Sequence, residues 1–272
     1  MDAPPTSTDQ PFRAWRWNGS HFEACDSVPL SDRGFRYGMS IFESVRITGG
    51  QPEFFEKHAA RLAQACAERE FALDEGALGQ AAALFAAPAR SGFARIYATA
   101  GDGPPAAPAA GARLLVLFEE RRPPPPEEAW EITFHDESYQ ALFGGMKTAN
   151  YWFNCDALAS ARRRGFDEAL LFNDRAELVS ACMANVFLVH GDELSTPPRS
   201  SGARAGTIRE WVIDRRKVTE RRLRREEVLS ADEIFLTSSW IGVMPAATIE
   251  GRPLGHRTVG PKLAAELEAR RR

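Results

Sequence analysis

Residues 142–152 read Leu-Phe-Gly-Gly-Met-Lys-Thr-Ala-Asn-Tyr-Trp. Lys147 stands there in an apolar, glycine-lined setting, just ahead of an amphipathic run, and is the most informative residue of the chain. Burial disfavours the ammonium form of a lysine and can bring its pKa toward neutrality. An amine available near pH 7 can form a Schiff base with a carbonyl compound. Taken alone, the segment equally describes a surface lysine on a loop, because exposed lysines are the rule.

A second stretch suggests the partner of that amine. Residues 200–210 read Ser-Ser-Gly-Ala-Arg-Ala-Gly-Thr-Ile-Arg-Glu, small residues that lead into a helix start. Free backbone N–H groups and the helix dipole suit such a place to a phosphate. Thr237-Ser238-Ser239, hydroxyls at a strand end, is another candidate for the same anion. Either one alone is no more than a cap or a turn. Beside a Schiff-base lysine, they suggest an aldehyde cofactor that carries a phosphate, which is pyridoxal phosphate.

The whole chain is compatible with an enzyme of that kind and excludes other classes. Its 272 residues make one large domain or two modest ones and can bury roughly 75% of the unfolded surface. The apolar share is 44% and the charged share 26%, which is ordinary for a globular protein. Basic and acidic residues number 34 and 37, leaving a net charge of −3. That balance removes the electrostatic reason to expect nucleic acid or an anionic membrane as partner. No apolar stretch approaches the ~20 residues of a membrane span. MDAPPTSTDQPF has neither a basic start nor an apolar core, so no signal peptide is expected and a cytoplasmic location is. Cys25, Cys66, Cys155 and Cys182 form no CxxC pair, and the five histidines form no ligand pair. Four buried thiols and no metal site are therefore expected.

Pattern along the chain predicts an α+β fold in two lobes. Residues 1–12 are expected to be a disordered tail. Asn18-Gly19, between alternating large residues, predicts a hairpin. Ser40–Thr48 (SIFESVRIT) alternates as a half-buried strand. A helix follows over about Pro52–Arg69, and Asp74 caps a second that ends before Pro88. Ala94–Ala100 and Arg113–Phe118 read as strands. Four prolines, Pro123–Pro126, mark a linker at 121–128 between a small domain over 13–120 and a larger one over 129–272. There, a strand at Trp130–His135 precedes a helix at about Asn150–Arg164 that Gly165 stops. Strands at Ala169–Phe172, Leu178–Val189 and Glu233–Thr237, a short helix from Thr207 to about Arg215 and a C-terminal helix complete it. No regular βαβ rhythm is present, which favours α+β over a doubly wound sheet.

Four blocks in order give the chain a likeness. It resembles the class IV aminotransferases, the fold-type IV pyridoxal-phosphate enzymes, which include branched-chain and D-amino-acid aminotransferases and 4-amino-4-deoxychorismate lyase. Asp32-Arg33-Gly34-Phe35-Arg36-Tyr37-Gly38 with Ile41-Phe42-Glu43-Ser44 is similar to the family's N-terminal signature. His58-Ala59-Ala60-Arg61-Leu62 is similar to its phosphate-arginine helix. The lysine block spans Lys147–Tyr151 through Asp167-Glu168-Ala169. The cofactor half comprises Asn185-Val186-Phe187, Thr196-Pro197-Pro198 and Ser201–Arg209.

The resemblance implies a small α/β lobe, a larger pseudobarrel lobe and a homodimer. It implies that Lys147 holds the cofactor as an aldimine and shuttles the proton. Arg61 would bind the phosphate, Gly206, Thr207 and Ile208 would offer backbone to it, and Ser238 or Ser239 would add a hydroxyl. Tyr151 would sit near the cofactor's phenolic oxygen, and Tyr37, Ser44, Arg95 and Tyr97 would reach the substrate. Where the family has the glutamate that pairs with the pyridine nitrogen, five residues before Asn185, this chain has Ser180. Glu177, three residues earlier, points to the opposite strand face unless a bulge intervenes, and nothing in the sequence announces one. A serine supplies no negative charge, so the ring would be a weaker electron sink. Three readings follow: an aminotransferase acting on an α-amino acid and a 2-oxo acid, a 4-amino-4-deoxychorismate lyase working by elimination, and a relative with impaired catalysis.

Overall fold

Asn18-Gly19 does turn the chain. Asn18 Oδ1 accepts from the Ser20 and His21 N–H groups, Gly19 takes a φ of 101°, and strand β1 (Phe12–Trp17) returns as β2 (Phe22–Ala24). The computed structural model describes residues 12–87, 90–125, 128–255 and 257–271, so residues 1–11 of the expected tail and two linker residues, Pro126 and Glu127, lie outside the described residues, while Phe12, also assigned to that tail, instead opens β1. These fall into two compact units, one up to Pro123 and one from Pro124 onward.

In the first unit, Asp32 caps a short helix α1 (Arg33–Tyr37) that Gly38 ends with a φ of 67°. The alternating run becomes β3 (Ser40–Thr48), turned by Gly49-Gly50 into β4 (Gln51–Pro52). Helix α2 (Phe55–Glu68) buries Phe55, His58, Leu62 and Cys66, and Asp74 caps α3 (Glu75–Ala83). Strands β5 (Gly92–Thr99) and β6 (Arg113–Glu120) complete an antiparallel sheet of order β2-β1-β6-β5-β3-β4. The Arg33 guanidinium is fully buried and donates to the carbonyls of Ala100, Gly101, Pro104, Ala107 and Pro108, which ties down the β5–β6 connection.

The second unit opens with β7 (Trp130–Phe134), crosses through α4 (Trp152–Arg163) and returns parallel as β8 (Glu168–Phe172). The expected single strand over 178–189 is instead two, β9 (Leu178–Ala181) and β10 (Asn185–His190). Glu168 breaks it, because its carboxylate accepts from the N–H groups of Cys182 and Met183 and turns the chain there. Then follow β11 (Glu193–Thr196), α5 (Thr207–Ile213), β12 (Val218–Glu220), α6 (Arg225–Ser230), β13 (Glu233–Ser238), β14 (Gly242–Ile249), β15 (Arg252–Pro253) and α7 (Val259–Arg271). The sheet runs β12-β11-β10-β13-β14-β7-β8-β9, with β15 on β14. Its strands β8, β9, β10 and β13 are buried on both faces. Leu170 and Phe172 join one apolar cluster with Val186, Leu236 and Met244, while Ala169 and Leu171 join another with Ala157 and Ala161 of α4. The cysteine expectation needs correction: Cys66 and Cys182 are buried, Cys25 is half-buried, and Cys155 is exposed because α4 buries Asn154, Ala157 and Ala161 instead.

Candidate functional site

Three consecutive residues in the left-handed region, Phe143 (φ 49°), Gly144 (66°) and Gly145 (85°), lift the chain into the Lys147 loop. Such a conformation costs a non-glycine residue about 1 kcal/mol or more, and strain of this kind gathers at functional sites. Gly145 has no room for a side chain, since a Cβ would stand 2.9 Å from the Gly202 carbonyl. The loop therefore packs on the segment that leads to α5. Lys147 is half-buried, and its Nζ donates to Tyr151 Oη at 2.9 Å. Arg204, from that packed segment, donates to the same phenol at 2.5 Å and to Tyr139 Oη at 3.0 Å. Its guanidinium lies 4.7 Å from the Tyr151 ring centroid. A cavity of about 320 Å³ adjoins, lined by Tyr139, Gln140, Asn150, Arg204 and neighbours.

Around α5, three positions carry unsatisfied hydroxyls or leave backbone uncovered, and Asn185 ties them together. Asn185 Nδ2 donates to the Arg204 carbonyl at 2.9 Å, and a Cβ on Gly206 would collide with Asn185 Oδ1. Asn185 pairs with Thr237 across β10 and β13. Thr207 Oγ1 and Thr237 Oγ1 are both buried with no hydrogen-bond partner among the described residues. Buried hydroxyls normally find a partner, and an orphan calls for an explanation such as an absent ligand. Ser238 Oγ accepts from the Ile241 N–H, and Ser238 and Ser239 are half-buried. Ile208 is buried in α5.

Ser180 lies on β9, 7% exposed, with no side-chain hydrogen bond among the described residues. The register of β8 and β9 slips there: Leu171 faces Ser180 while Phe172 faces Leu178, so Val179 is an extra residue. The bulge that the sequence did not announce therefore exists. It does not free Glu177, whose carboxylate accepts from Arg175 (3.0 Å), Asn173 (3.0 Å) and Ser201 (2.9 Å) and pairs with Arg222 at 3.4 Å. The Arg175 bond holds it down at about 2. Glu168 is the reverse case. Burial pushes its carboxyl up to about 7, against the Ala169, Cys182 and Met183 N–H groups that favour the ionised form.

In the first unit, β3 register sorts the expected side chains onto two faces. Ser44 stands opposite Arg95, and Phe42 opposite Tyr97 with rings stacked at 5.2 Å, so Ser44, Arg95 and Tyr97 share a face. Arg95 already pairs with Glu119 at 3.1 Å. Tyr37, on α1, is exposed. On the other face, Glu43 meets α2. Arg61 forks onto it through Nε at 2.7 Å and Nη2 at 2.6 Å, and His58 Nδ1 lies 2.8 Å from its Oε2. Burial works to raise the Glu43 carboxyl, but the Arg61 guanidinium and the His58 bond overcome it and hold it at about 2. Thr237 belongs to the hydroxyl run that the sequence offered for the anion, whereas Glu43, Tyr139 and Arg204 had no role assigned from sequence. Arg204 had a visible signal, a lone cation within a run of small residues.

Set beside known proteins, this arrangement falls in one family. The sequence profile described as amino-transferase class IV matches residues 40–249, and the chain belongs to that family. A putative branched-chain-amino-acid aminotransferase of Methanocaldococcus jannaschii is 32% identical over 120 residues, which are 42% of this chain and 42% of that protein, so the match spans less than half of the relative's length. The 4-amino-4-deoxychorismate lyase of Pseudomonas aeruginosa is 26% identical, with a TM-score of 0.81 over 94% of this chain and 98% of that one. An aminotransferase from Brucella abortus, solved bound to the co-factor PLP, is 24% identical, with a TM-score of 0.81 over 95% and 98%. The α+β, fold-type IV expectation is thereby borne out. No helix among the described residues is long and apolar enough to cross a membrane.

Proposed function

We propose that the protein is a pyridoxal-phosphate-dependent aminotransferase that moves an amino group between an α-amino acid and a 2-oxo acid. The carrying observation is Lys147 Nζ held on Tyr151 Oη in a strained loop packed against the α5 segment. The residues present fit the cofactor: two buried hydroxyls lack partners, and Gly206 leaves the backbone unscreened where a Cβ would not fit. When bound, pyridoxal phosphate supplies an aldehyde that condenses with an amine and a ring that takes up the electrons of the broken C–H bond.

This chain's residues do the rest. Lys147 Nζ removes the proton from the carbon that bears the amine and returns it on the other side of the transfer, and Tyr151 orients it. Gly206, Thr207 and Ile208 would present backbone to the phosphate, Ser238 or Ser239 would add a hydroxyl, and the family likeness gives Arg61 as the guanidinium that would join them. Tyr37, Ser44, Arg95 and Tyr97 are proposed to contact substrate. Ser180 would leave the pyridine nitrogen without a carboxylate partner. The family likeness is also the ground for proposing a cytoplasmic homodimer.

The test is turnover of leucine, alanine and glutamate in either configuration, with 2-oxo acid acceptors. The expected result is amino transfer that requires the acceptor. A second reading, elimination from 4-amino-4-deoxychorismate, draws support from Ser180 and from the 26% identical lyase. Release of p-aminobenzoate and pyruvate without an acceptor would establish it and displace the first. Ser180→Glu is expected to accelerate transamination half-reactions; equal rates in both proteins remove the role given to Ser180.

A further inference from the structure

Arg204 is a cation without an anion. Two of its five donors go to the phenols of Tyr151 and Tyr139, and its Nε is buried with no acceptor among the described residues. No carboxylate pairs with it among the described residues, although Arg61 and Arg95 each have one. It lines the cavity of about 320 Å³ together with Ser138, Tyr139, Gln140, Thr148 and Asn150, and no aspartate or glutamate is in that lining. A partly buried charge is costly unless something pairs with it, and here the protein supplies only neutral dipoles. The planar fork of a guanidinium matches a carboxylate, and the amide groups of Gln140 and Asn150 add neutral donors for its oxygens.

The geometry points to this cavity as the carboxylate pocket of the substrate, with Arg204 binding the α-carboxylate; this rests on the reading of Lys147 as the amine-transfer centre. Reach selects the α position. Lys147 Nζ and Arg204 Nη1 bond to one phenol oxygen at 2.9 and 2.5 Å, so they are separated by no more than the sum of those lengths. In an α-amino acid, a carboxylate oxygen lies about 3 Å from the amine nitrogen. A charge-assisted bond to a guanidinium adds about 2.8 Å. An α-carboxylate spans the gap, whereas an extended side chain that holds its carboxylate two or three carbons further out overshoots it. Tyr139 and Tyr151 then act as positioning residues, each holding one terminal nitrogen so that the fork is set before the anion arrives.

The experiment uses the cofactor-loaded full chain and two unreactive probes, 4-methylpentanoate and its neutral amide, titrated calorimetrically. The wild type is expected to prefer the acid. Arg204→Gln is expected to weaken acid binding about 10- to 100-fold and bring it level with the amide. Borohydride trapping at Lys147 should still occur in that variant, which shows that the cofactor is loaded. Tyr139→Phe, which keeps the charge but releases one nitrogen, is expected to weaken acid binding by a smaller factor, about threefold, and decides the matter if Arg204→Gln does not fold. A folded, coloured variant that keeps the full acid preference overturns the proposal, as does a wild type with no preference. A colourless wild type overturns the reading of Lys147 instead, and the acid titration of that protein then judges the pocket alone.

Discussion

Replacing Glu43 by glutamine removes the charge from the Glu43–Arg61–His58 cluster while nearly preserving volume. The Glu43 carboxyl falls from an ordinary 4.5 to about 2 in the folded protein. At 1.36 kcal/mol per unit, that is about 3 kcal/mol of stability from the ionised form. The side chain is 2% exposed, so solvent screening discounts little of it. A depressed carboxyl stabilises fully above its unfolded value and loses that contribution as pH falls toward its folded value. Glu43→Gln should therefore unfold at a urea concentration lower by about 1–2 M at pH 7. The gap from wild type should then narrow by about 1.4 kcal/mol per pH unit between pH 4.5 and 2. The assay is urea unfolding followed by tryptophan fluorescence across that range. A variant that matches wild type at pH 7, or a gap that stays constant down to pH 3, would refute the reasoning.

Glu168 predicts the opposite slope. Its carboxyl is raised to about 7, so its stabilising contribution is complete below 4.5 and lost as pH rises through 7; wild type, but not Glu168→Gln, should lose about 3 kcal/mol between pH 4.5 and 8. Thiol labelling should strike Cys155 first, because it is exposed, while burial pushes the thiol of Cys66 up to about 12 and that of Cys182 up as well. Peptide mapping after brief alkylation reads the order, and early loss of Cys66 or Cys182 would contradict it. Gly206→Ala should cost about 1–3 kcal/mol and weaken cofactor affinity, since its Cβ meets Asn185 Oδ1. Thermal unfolding and cofactor titration of the variant check both.

Local signals carried the sequence reading where local physics decides. Asn18-Gly19 turns because Asn18 caps its own loop, Asp74 caps α3 through the Gly76 N–H, and the alternation over 40–48 is a strand. Non-local partners decided the rest. Glu168 reaches residues fourteen and fifteen positions on and splits a run that alternation alone would continue. β14 escaped notice because Pro245 lies inside it; it is held from both sides, antiparallel to β13 and parallel to β7, with its irregularity just after the proline. At the candidate site, Lys147, Tyr151, Gly206 and Thr207 were visible as motif residues. Arg204 became meaningful only once the Lys147 loop packed on its segment and Tyr139 arrived from the β7–α4 connection. The fork of Arg61 onto Glu43 depends on which face of β3 meets α2, which no stretch of either element reveals by itself.

Covalent capture at Lys147 tests the central claim most directly. Protein incubated with pyridoxal phosphate, reduced with borohydride and digested should yield one phosphopyridoxyl group, on the peptide containing Lys147, and Lys147→Ala should yield none. Label spread over surface lysines, or label unchanged by Lys147→Ala, would contradict the account.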